Sequence, residues 1–417
     1  MKRLVAITAA LSVSFGASAQ EEAERNRLIV HEWGTFTAVY GADGTMLEWR
    51  PLDEVSDLPS FVYARDSILP PTSHRIREKN YIDSYQRMET PVLYFYADRE
   101  MAVDVSVGFP KGLITEWYPR VRDFGPWLGD GNSPLAVANG WLRWGKIKIL
   151  PQGKIQPTLP REKGESHYYP ARETDSAYVR LCPTGDEYEK TEYEKFLFYR
   201  GVGNFELPLQ VTASGKGSFK LHNLSRSDIG HVFVLSVKKG GKGKYTFFEK
   251  VEAGTSREAT LDLRENWLSK EQLVRRIGEE LEECLVMEGL FRKEAKAMIQ
   301  TWTDSYFEQE GTRILYILPE GMTNELLPLS ISPKPVELKR VMVARVEVIS
   351  PEQTHVIHEL IEKLGSDNLD QRVIAERQIA GYGRFAEPML KEAVRVASDP
   401  EIRARAEGLL AKMHSTR

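Results

Sequence analysis

The sequence predicts an α+β protein with a β-rich, sandwich-like body, an α/β segment that completes it, and a helical C-terminal tail. Between residues 27 and 262, short runs rich in β-branched and aromatic residues alternate with turns such as SGKG, NLSRSD and EAGTS. This pattern is typical of β-sandwiches and barrels. After Ser350 the apolar residues instead recur at helical spacing, and helix start signals replace the glycine-rich turns.

The N-terminus has the order of a secretion signal. Lys2 and Arg3 precede an uncharged stretch at residues 4–15, and Ala17-Ser18-Ala19 supplies a small-x-small cleavage site. A helix needs about 20 apolar residues to span a bilayer, and this stretch is shorter. We therefore expect residues 1–19 to be a signal peptide and the mature protein to be periplasmic or secreted.

Composition argues against a nucleic-acid partner. The chain has 56 Lys and Arg against 60 Asp and Glu, a formal net charge of −4, and the charges are spread along it. Surfaces that bind nucleic acid or anionic membranes carry clustered positive charge. The short basic run KKGGKGK at residues 238–244 is interpreted as a solvated hairpin tip because strand patterns flank it. No segment after the signal reaches transmembrane length.

Strands can be assigned along the body, residues 20–265. Residues 88–98 and 101–109 have strand composition and are separated by a short DRE break, so they are predicted to form a hairpin. Further strands are predicted at 112–121, 141–150, 194–203 and, as several shorter runs, within 207–263.

Helical character begins near Trp267. The sequence Ser269-Lys270-Glu271-Gln272 is a capping box, and apolar residues follow it at helical spacing. A second helix is predicted at 292–307, and strands at 312–318 and 336–349. We interpret residues 266–349 as an α/β insert that closes against the preceding sheet.

Residues 350–417 are predicted to form a helical tail. Ser350-Pro351-Glu352-Gln353 combines an N-cap, a Pro at the first helical position and a Gln three residues after the cap. The stretch from LGSDNLDQRVIAERQIAGYGRF to PEIRARAEGLL resembles the HEAT-like repeats of exported proteins from planctomycete-type bacteria, which implies a surface for protein contacts. It holds about one and a half repeats, whereas an independent solenoid needs about three. We therefore expect the tail to pack on the body, to self-associate or to bind a partner protein.

Most of the mature chain resembles a family of exported bacterial proteins marked by HEWGTFT. The matching segments are HEWGTFT (31–37), METPVLYFY (88–96), ITEWYP (114–119), YYPARETD (168–175), FLFYRGVG (196–203) and RILYILP (313–319). The family has no assigned activity, so the resemblance carries no catalytic or binding residue over to this chain.

The HEWGTFT segment pairs a histidine with a glutamate. If it is a strand, His31 and Trp33 share one face and Glu32 lies on the other. We therefore interpret His31 as a buried, hydrogen-bonded residue, in preference to a metal ligand.

Residues 167–175, HYYPARETD, form the densest ionisable cluster. In an extended chain Glu173 and Asp175 share a face near His167. Two carboxylates placed in this way would suit the binding of a hard divalent cation or general acid–base catalysis. Arg172 equally suits a structural ion pair with a buried acid.

A second group of possible metal ligands lies on the first predicted helix of the tail: His355, His358, Glu359 and Glu362. These residues fall opposite the apolar stripe of the helix, so they are predicted to face solvent.

The two cysteines leave two interpretations open. Cys182 and Cys284 can bridge in an oxidising compartment, or remain two buried thiols in separate domains, which is the interpretation favoured here. No CxxC or Cys/His cluster indicates a thiolate zinc site.

The sequence favours a noncatalytic exported binding protein whose HEAT-like tail mediates protein contacts. The alternative is a metal-assisted hydrolase whose site gathers His31, His167, Glu173 and Asp175 around a divalent metal. No GxSxG, HExxH, Walker or GxGxxG motif supports a standard enzyme class.

Overall fold

The computed structural model describes residues 27–50, 58–65, 82–126, 137–153, 155–181 and 190–415. The expected signal peptide and Cys182 lie outside these residues. Within them the chain is a mixed α+β protein with large sheets and mostly C-terminal helices, as the sequence predicted. No helix in the described ranges is both long and apolar enough to cross a membrane.

The strands, in chain order, are β1 (Leu28–Tyr40), β2 (Met46–Leu47), β3 (Tyr63–Ala64), β4 (Gln86–Ala97), β5 (Met101–Phe109), β6 (Gly112–Tyr118), β7 (Asp123–Gly125), β8 (Gly140–Leu150), β9 (Tyr178–Leu181), β10 (Glu192–Glu194), β11 (Leu197–Gly203), β12 (Leu209–Gly215), β13 (Ser218–Asn223), β14 (Ile229–Val237), β15 (Gly243–Val251), β16 (Ser256–Thr260), β17 (Gly311–Ile317), β18 (Leu329–Ser332) and β19 (Glu337–Val348).

A ten-stranded sheet forms the centre of the molecule. Its order is β15-β14-β17-β19-β1-β4-β11-β6-β3, with β2 attached to β1. Strand β1 pairs antiparallel with β4 on one side and parallel with β19 on the other. The segment predicted as an α/β insert therefore supplies β17 and β19 to the interior of the same sheet.

Two smaller sheets cover one face of the ten-stranded sheet. One has the order β10-β9-β8-β5-β18 with β7 attached to β8, and the other has the order β12-β13-β16. Side chains from all three sheets form one continuous apolar core, with Phe36, Phe109 and Trp144 among its buried aromatic residues. This arrangement of packed sheets matches the predicted sandwich-like body.

The α-helices are α1 (Lys270–Met287), α2 (Arg292–Thr303), α3 (Glu320–Leu326), α4 (Pro351–Lys363), α5 (Leu369–Tyr382), α6 (Glu387–Val396) and α7 (Pro400–Ser415), with a π-helical turn at Asp304–Glu308 and a 3₁₀ helix at Tyr169–Arg172. Helices α1 and α2 cover the other face of the large sheet through a second apolar core. The predicted capping boxes at Ser269 and Ser350 are both present.

The tail packs on the body through a third apolar core. Side chains from α4 to α7 surround Val39, Trp49 and Ile349, which are almost fully buried. Burying a large apolar side chain contributes roughly 1.5–3 kcal/mol, so this contact fixes the tail to the strand that carries HEWGTFT.

One predicted supersecondary element is wrong. Strands β4 and β5 have the expected positions, but β4 pairs with β1 and β11, whereas β5 pairs with β8 and β18. The break at Asp98–Glu100 carries the chain from one sheet to another. A short connection predicts a hairpin only when both strands bury their faces in the same sheet.

Candidate functional site

Strand β1 carries polar side chains on both of its buried faces. His31 contacts Glu294 of α2, and Thr35 contacts Tyr306 of the π-helical turn, so these two residues face the helices. Phe36 lies in the core between the sheets. Glu32 contacts Tyr199, which belongs to that same core. The predicted alternation is confirmed, although the register with β4 shifts between Trp33 and Thr35.

Both ring nitrogens of His31 lie next to carboxylates. Nδ1 is 2.8 Å from Glu294 Oε2, and Nε2 is 3.2 Å from Glu337 Oε1. A ring protonated on both nitrogens donates one hydrogen bond to each carboxylate. Burial lowers the pKa of His31, but the hydrogen bonds and charges of the two glutamates outweigh it and raise the pKa above its usual value.

The Glu294 carboxylate is fully buried and has several donors. The Tyr96 hydroxyl donates to Oε1 at 2.7 Å, and the Phe291 backbone N–H donates to Oε2 at 2.7 Å. The Phe291 ring packs on His31 with the centroids 4.4 Å apart. Glu337 keeps 41% of its side chain exposed, so the cluster reaches solvent through this carboxylate.

Glu32 forms a second buried ion pair on the opposite face of β1. Its carboxylate accepts from Arg340 Nε and from the Tyr199 hydroxyl, each at 2.6 Å. Arg340 also donates to Asn324 Oδ1 and to the Leu327 carbonyl. Both charges of the pair are therefore compensated, as burial requires. Through these contacts, the HEWGTFT strand β1 is joined to α2 and, by way of Arg340 of the neighbouring strand β19, to α3.

The cluster at residues 167–175 is arranged differently from the extended chain that the sequence suggested. Residues Tyr169–Arg172 form a 3₁₀ helix, and Glu173 and Asp175 are exposed. Asp175 pairs with Lys293 at 2.6 Å. His167 lies near the Thr301 carbonyl and Asp304, with its ring stacked on Trp302.

No hydrogen bond or ion pair joins any two of His31, His167, Glu173 and Asp175. Among the residues that the structure describes, no group of three His, Cys, Asp or Glu side chains could hold a metal ion. In the structure His31 instead contacts Glu294 and Glu337, and His167 lies against the Thr301 carbonyl and Asp304.

The structural interpretation of Arg172 is confirmed. Its guanidinium lies 2.6 Å from Glu194, whose carboxylate is fully buried and also accepts from the Tyr168 hydroxyl.

The histidines of α4 face solvent, as predicted. His355 and His358 are exposed, while Ile357 and Leu360 are buried.

Sequence reasoning missed Glu294, although a signal was present. Glu294 lies one turn before Met298 and two turns before Thr301 and Trp302, which are all buried. A glutamate on the buried stripe of an amphipathic helix needs a partner. That spacing marks Glu294 as a buried acid, but it does not identify His31 as its partner.

Cys284 is a buried free thiol on α1. His231 lies beside it, and its Nε2 donates to Glu288 Oε1, 3.1 Å away. The Cys284 thiol and the Glu288 carboxylate raise the pKa of His231 to about 9.

Helix α5 presents an apolar face to solvent. Leu369, Val373 and Ile374 are 58%, 44% and 54% exposed, whereas Ala375 and Ile379 on the opposite side are buried. We call Leu369, Val373 and Ile374 the α5 face. Asp370 and Arg377 lie within the same arc of the helix and are also exposed.

Comparisons with known proteins give weak similarity. No family model matches the chain, and a search of curated proteins finds no relative. The chain is similar to the Fcho1 Mu homology domain of Danio rerio with bound Eps15 peptide, at 7% identity and a TM-score of 0.29, over 77% of this chain and 97% of that one.

Two yeast structures give similar values. The delta-COP-I mu-homology domain complexed with a Dsl1 WxWxV peptide matches at 10% identity and a TM-score of 0.25, over 78% of this chain and 96% of that one. The same domain in a second structure matches at 9% identity and a TM-score of 0.27, over 78% and 98%. TM-scores this low do not indicate a shared fold, so no fold or function is taken from these structures.

Proposed function

We propose that this protein is an exported, noncatalytic binding protein that contacts a partner protein through its helical tail. The observation that carries the proposal is the α5 face, three large apolar side chains exposed on one helix, whereas α4 and α6 each expose one, Val356 and Val396. Clusters of exposed apolar side chains mark interaction sites.

The chemistry of the α5 face indicates what would bind there. An apolar patch that contains one acid, Asp370, and one base, Arg377, suits a partner surface with apolar side chains and the complementary pair of charges. A helix of the partner would stack on α5 in the way that helical pairs stack in repeat proteins. The resemblance of the tail to HEAT-like segments supports this choice.

The central ion pairs favour a scaffold role for the body. His31 and Glu32 are fully buried, and each is satisfied by partners from distant elements. Membership of the HEWGTFT family and export through the N-terminal signal are part of the same proposal.

The experiment compares two double variants of the full chain. Leu369→Lys with Val373→Lys places charge on the α5 face, whereas His355→Lys with His358→Lys adds the same charge to the exposed face of α4. Tagged proteins are incubated with periplasmic or secreted extract of the native host.

We expect the wild type and the α4 control to retain the same partner, and the α5 variant to lose it. Equal retention by all three proteins would contradict the proposal. Reversible dimerisation of the purified wild type, abolished by the α5 variant, would instead show that the face binds a second copy.

A further inference from the structure

Strands β15 and β16 are consecutive in the chain but do not pair with each other. β15 pairs with β14 and β16 pairs with β13, so each ends a different sheet. A tight turn connects them, with the Thr255 N–H donating to the Glu252 carbonyl at 3.1 Å. Neighbouring strands joined by so short a turn usually form a hairpin, and here they separate instead.

The separation has a structural cause. The turn is tied to the loop before β14, because the Ala253 N–H and the Lys250 ammonium both bind the Asp228 carboxylate. Phe248 of β15 packs into the core between the sheets, and Ala259 of β16 is buried in the same core. The two strands therefore diverge from the turn as they enter different sheets.

The space between these strands is an open groove. Near the turn it has a volume of about 730 Å³, and a second part of about 480 Å³ lies beside the start of β15 and the end of β16. We call this space, bordered by residues 244–251 and 255–262, the edge groove. Within the described ranges, the outer edge of β15 has one backbone bridge, between Gly243 and Leu268.

An unpaired strand edge defines the chemistry of its ligand. Apart from the Val251 carbonyl, which accepts from Asn223 Nδ2, the N–H and C=O groups along residues 244–251 that point away from β14 are satisfied best by another extended chain, through strand addition. Eight residues at about 3.3 Å each extend over about 26 Å, so the edge accommodates a peptide of about eight residues.

The charges of the edge groove differ between its two ends. Glu249 and Glu258 border the end near the turn, and both are exposed without an ion-pair partner among the described side chains. Two bases border the same end, but Lys250 pairs with Asp228 and Arg257 lies over the Phe248 ring. Lys244 and Arg276 border the other end. A peptide would match both ends if it carried basic side chains near Glu249 and Glu258 and acidic side chains near Lys244 and Arg276.

Two side chains now cross the groove and would give way to a peptide. Arg257 of β16 lies over the Phe248 ring, 4.5 Å from its centroid, and Lys244 donates to the Asp262 carbonyl. Arg257 is on the surface and Lys244 is half-buried, so moving them costs little. Their charged groups can then donate to carbonyls of the bound strand.

We propose that the edge groove binds an extended segment of a partner protein, which adds a strand to β15 and carries basic residues at the end next to Glu249 and Glu258. This site is separate from the α5 face, so the inference does not depend on the proposed role of the tail.

The test uses a display library of linear eight-residue peptides, screened on the full chain. Selected peptides are synthesised and their affinities are measured for the wild type and for Glu249→Lys with Glu258→Lys. The matched control is Glu320→Lys with Glu325→Lys, the same charge change on exposed residues of α3. Each peptide is also made with alternate backbone nitrogens methylated.

We expect selected peptides with basic residues at one end, at least tenfold weaker binding to the Glu249/Glu258 variant, and unchanged binding to the control. Methylation should abolish binding, and hydrogen exchange at residues 244–251 should slow when the peptide binds. A library without binders, or binders that tolerate methylation and leave exchange at 244–251 unchanged, would overturn the proposal. The charges on β15 would then only protect an exposed edge from aggregation.

Discussion

The imidazole of His31 and the carboxylate of Glu294 lie 2.8 Å apart in the interior, with neither side chain exposed. They are 263 residues apart in the sequence. The pair joins the central strand β1 to α2, so it ties the helical layer to the middle of the large sheet. Because Glu337 contacts the other ring nitrogen, the cluster also links β19.

Glu294→Gln tests the importance of this pair for stability. The substitution keeps the shape of the side chain but removes the charge that compensates the buried imidazolium. Breaking a buried pair in this way costs about 3–5 kcal/mol, which urea unfolding would measure. Glu283→Gln, at an exposed partner of Arg292, is the control and should change the free energy of unfolding by less than about 1 kcal/mol. Equal effects of the two substitutions would contradict this role of Glu294.

His231 should make stability depend on pH. Its pKa is about 9 in the folded protein against 6.5 for an ordinary histidine, so folding favours the protonated ring. The stabilising contribution is complete below pH 6.5 and is lost as the pH rises through the folded pKa. We expect the urea midpoint of the wild type to fall over this range, and His231→Gln to reduce the fall. His222→Gln serves as the control, and an identical slope in both variants would contradict the prediction.

Two ion pairs near the 3₁₀ helix should differ in strength. Glu194 is fully buried against Arg172, so Glu194→Gln should destabilise by about 3–5 kcal/mol. Asp175 is 65% exposed and pairs with Lys293 at the surface, so Asp175→Asn should cost less than about 1 kcal/mol. Chemical unfolding of both variants measures the difference. A large effect at Asp175 would show that this residue has a role beyond its surface pair.

Local patterns predicted the elements and some of their partners. The alternation of HEWGTFT predicts the two faces of β1. The pair of Arg87 and Glu89, two residues apart on one strand face, is a contact of the same local kind. Capping boxes gave the starts of α1 and α4. Each of these depends on residues close in sequence.

Partners that are distant in sequence could not be predicted in the same way. Glu116 pairs with Arg200 of the neighbouring strand β11, 84 residues away in the sequence. Sheet membership is also a long-range property, so the short break between β4 and β5 predicts a hairpin that the fold does not form. The acid on the buried stripe of α2 could be recognised, but its histidine partner depends on how the helix packs on the sheet.

Removing the tail should expose the body surface that it covers. Val39, Trp49 and Ile349 are almost fully buried by the tail helices and their neighbours. A chain that ends at Ile349 should therefore fold but bind a hydrophobic dye or aggregate, and the isolated tail should be only marginally stable. A monomeric, dye-silent body together with a tail that melts cooperatively at high temperature would show that the two are independent modules.

Site-specific photo-cross-linking in the native host tests the central claim most directly. A photoreactive amino acid replaces Val373 on the α5 face in one variant and His358 on the solvated face of α4 in another. We predict that the probe at position 373 cross-links one defined partner protein, and that the probe at position 358 does not. Cross-linking at neither position, or the same products from both, would contradict the claim that this protein acts by binding a partner through the α5 face.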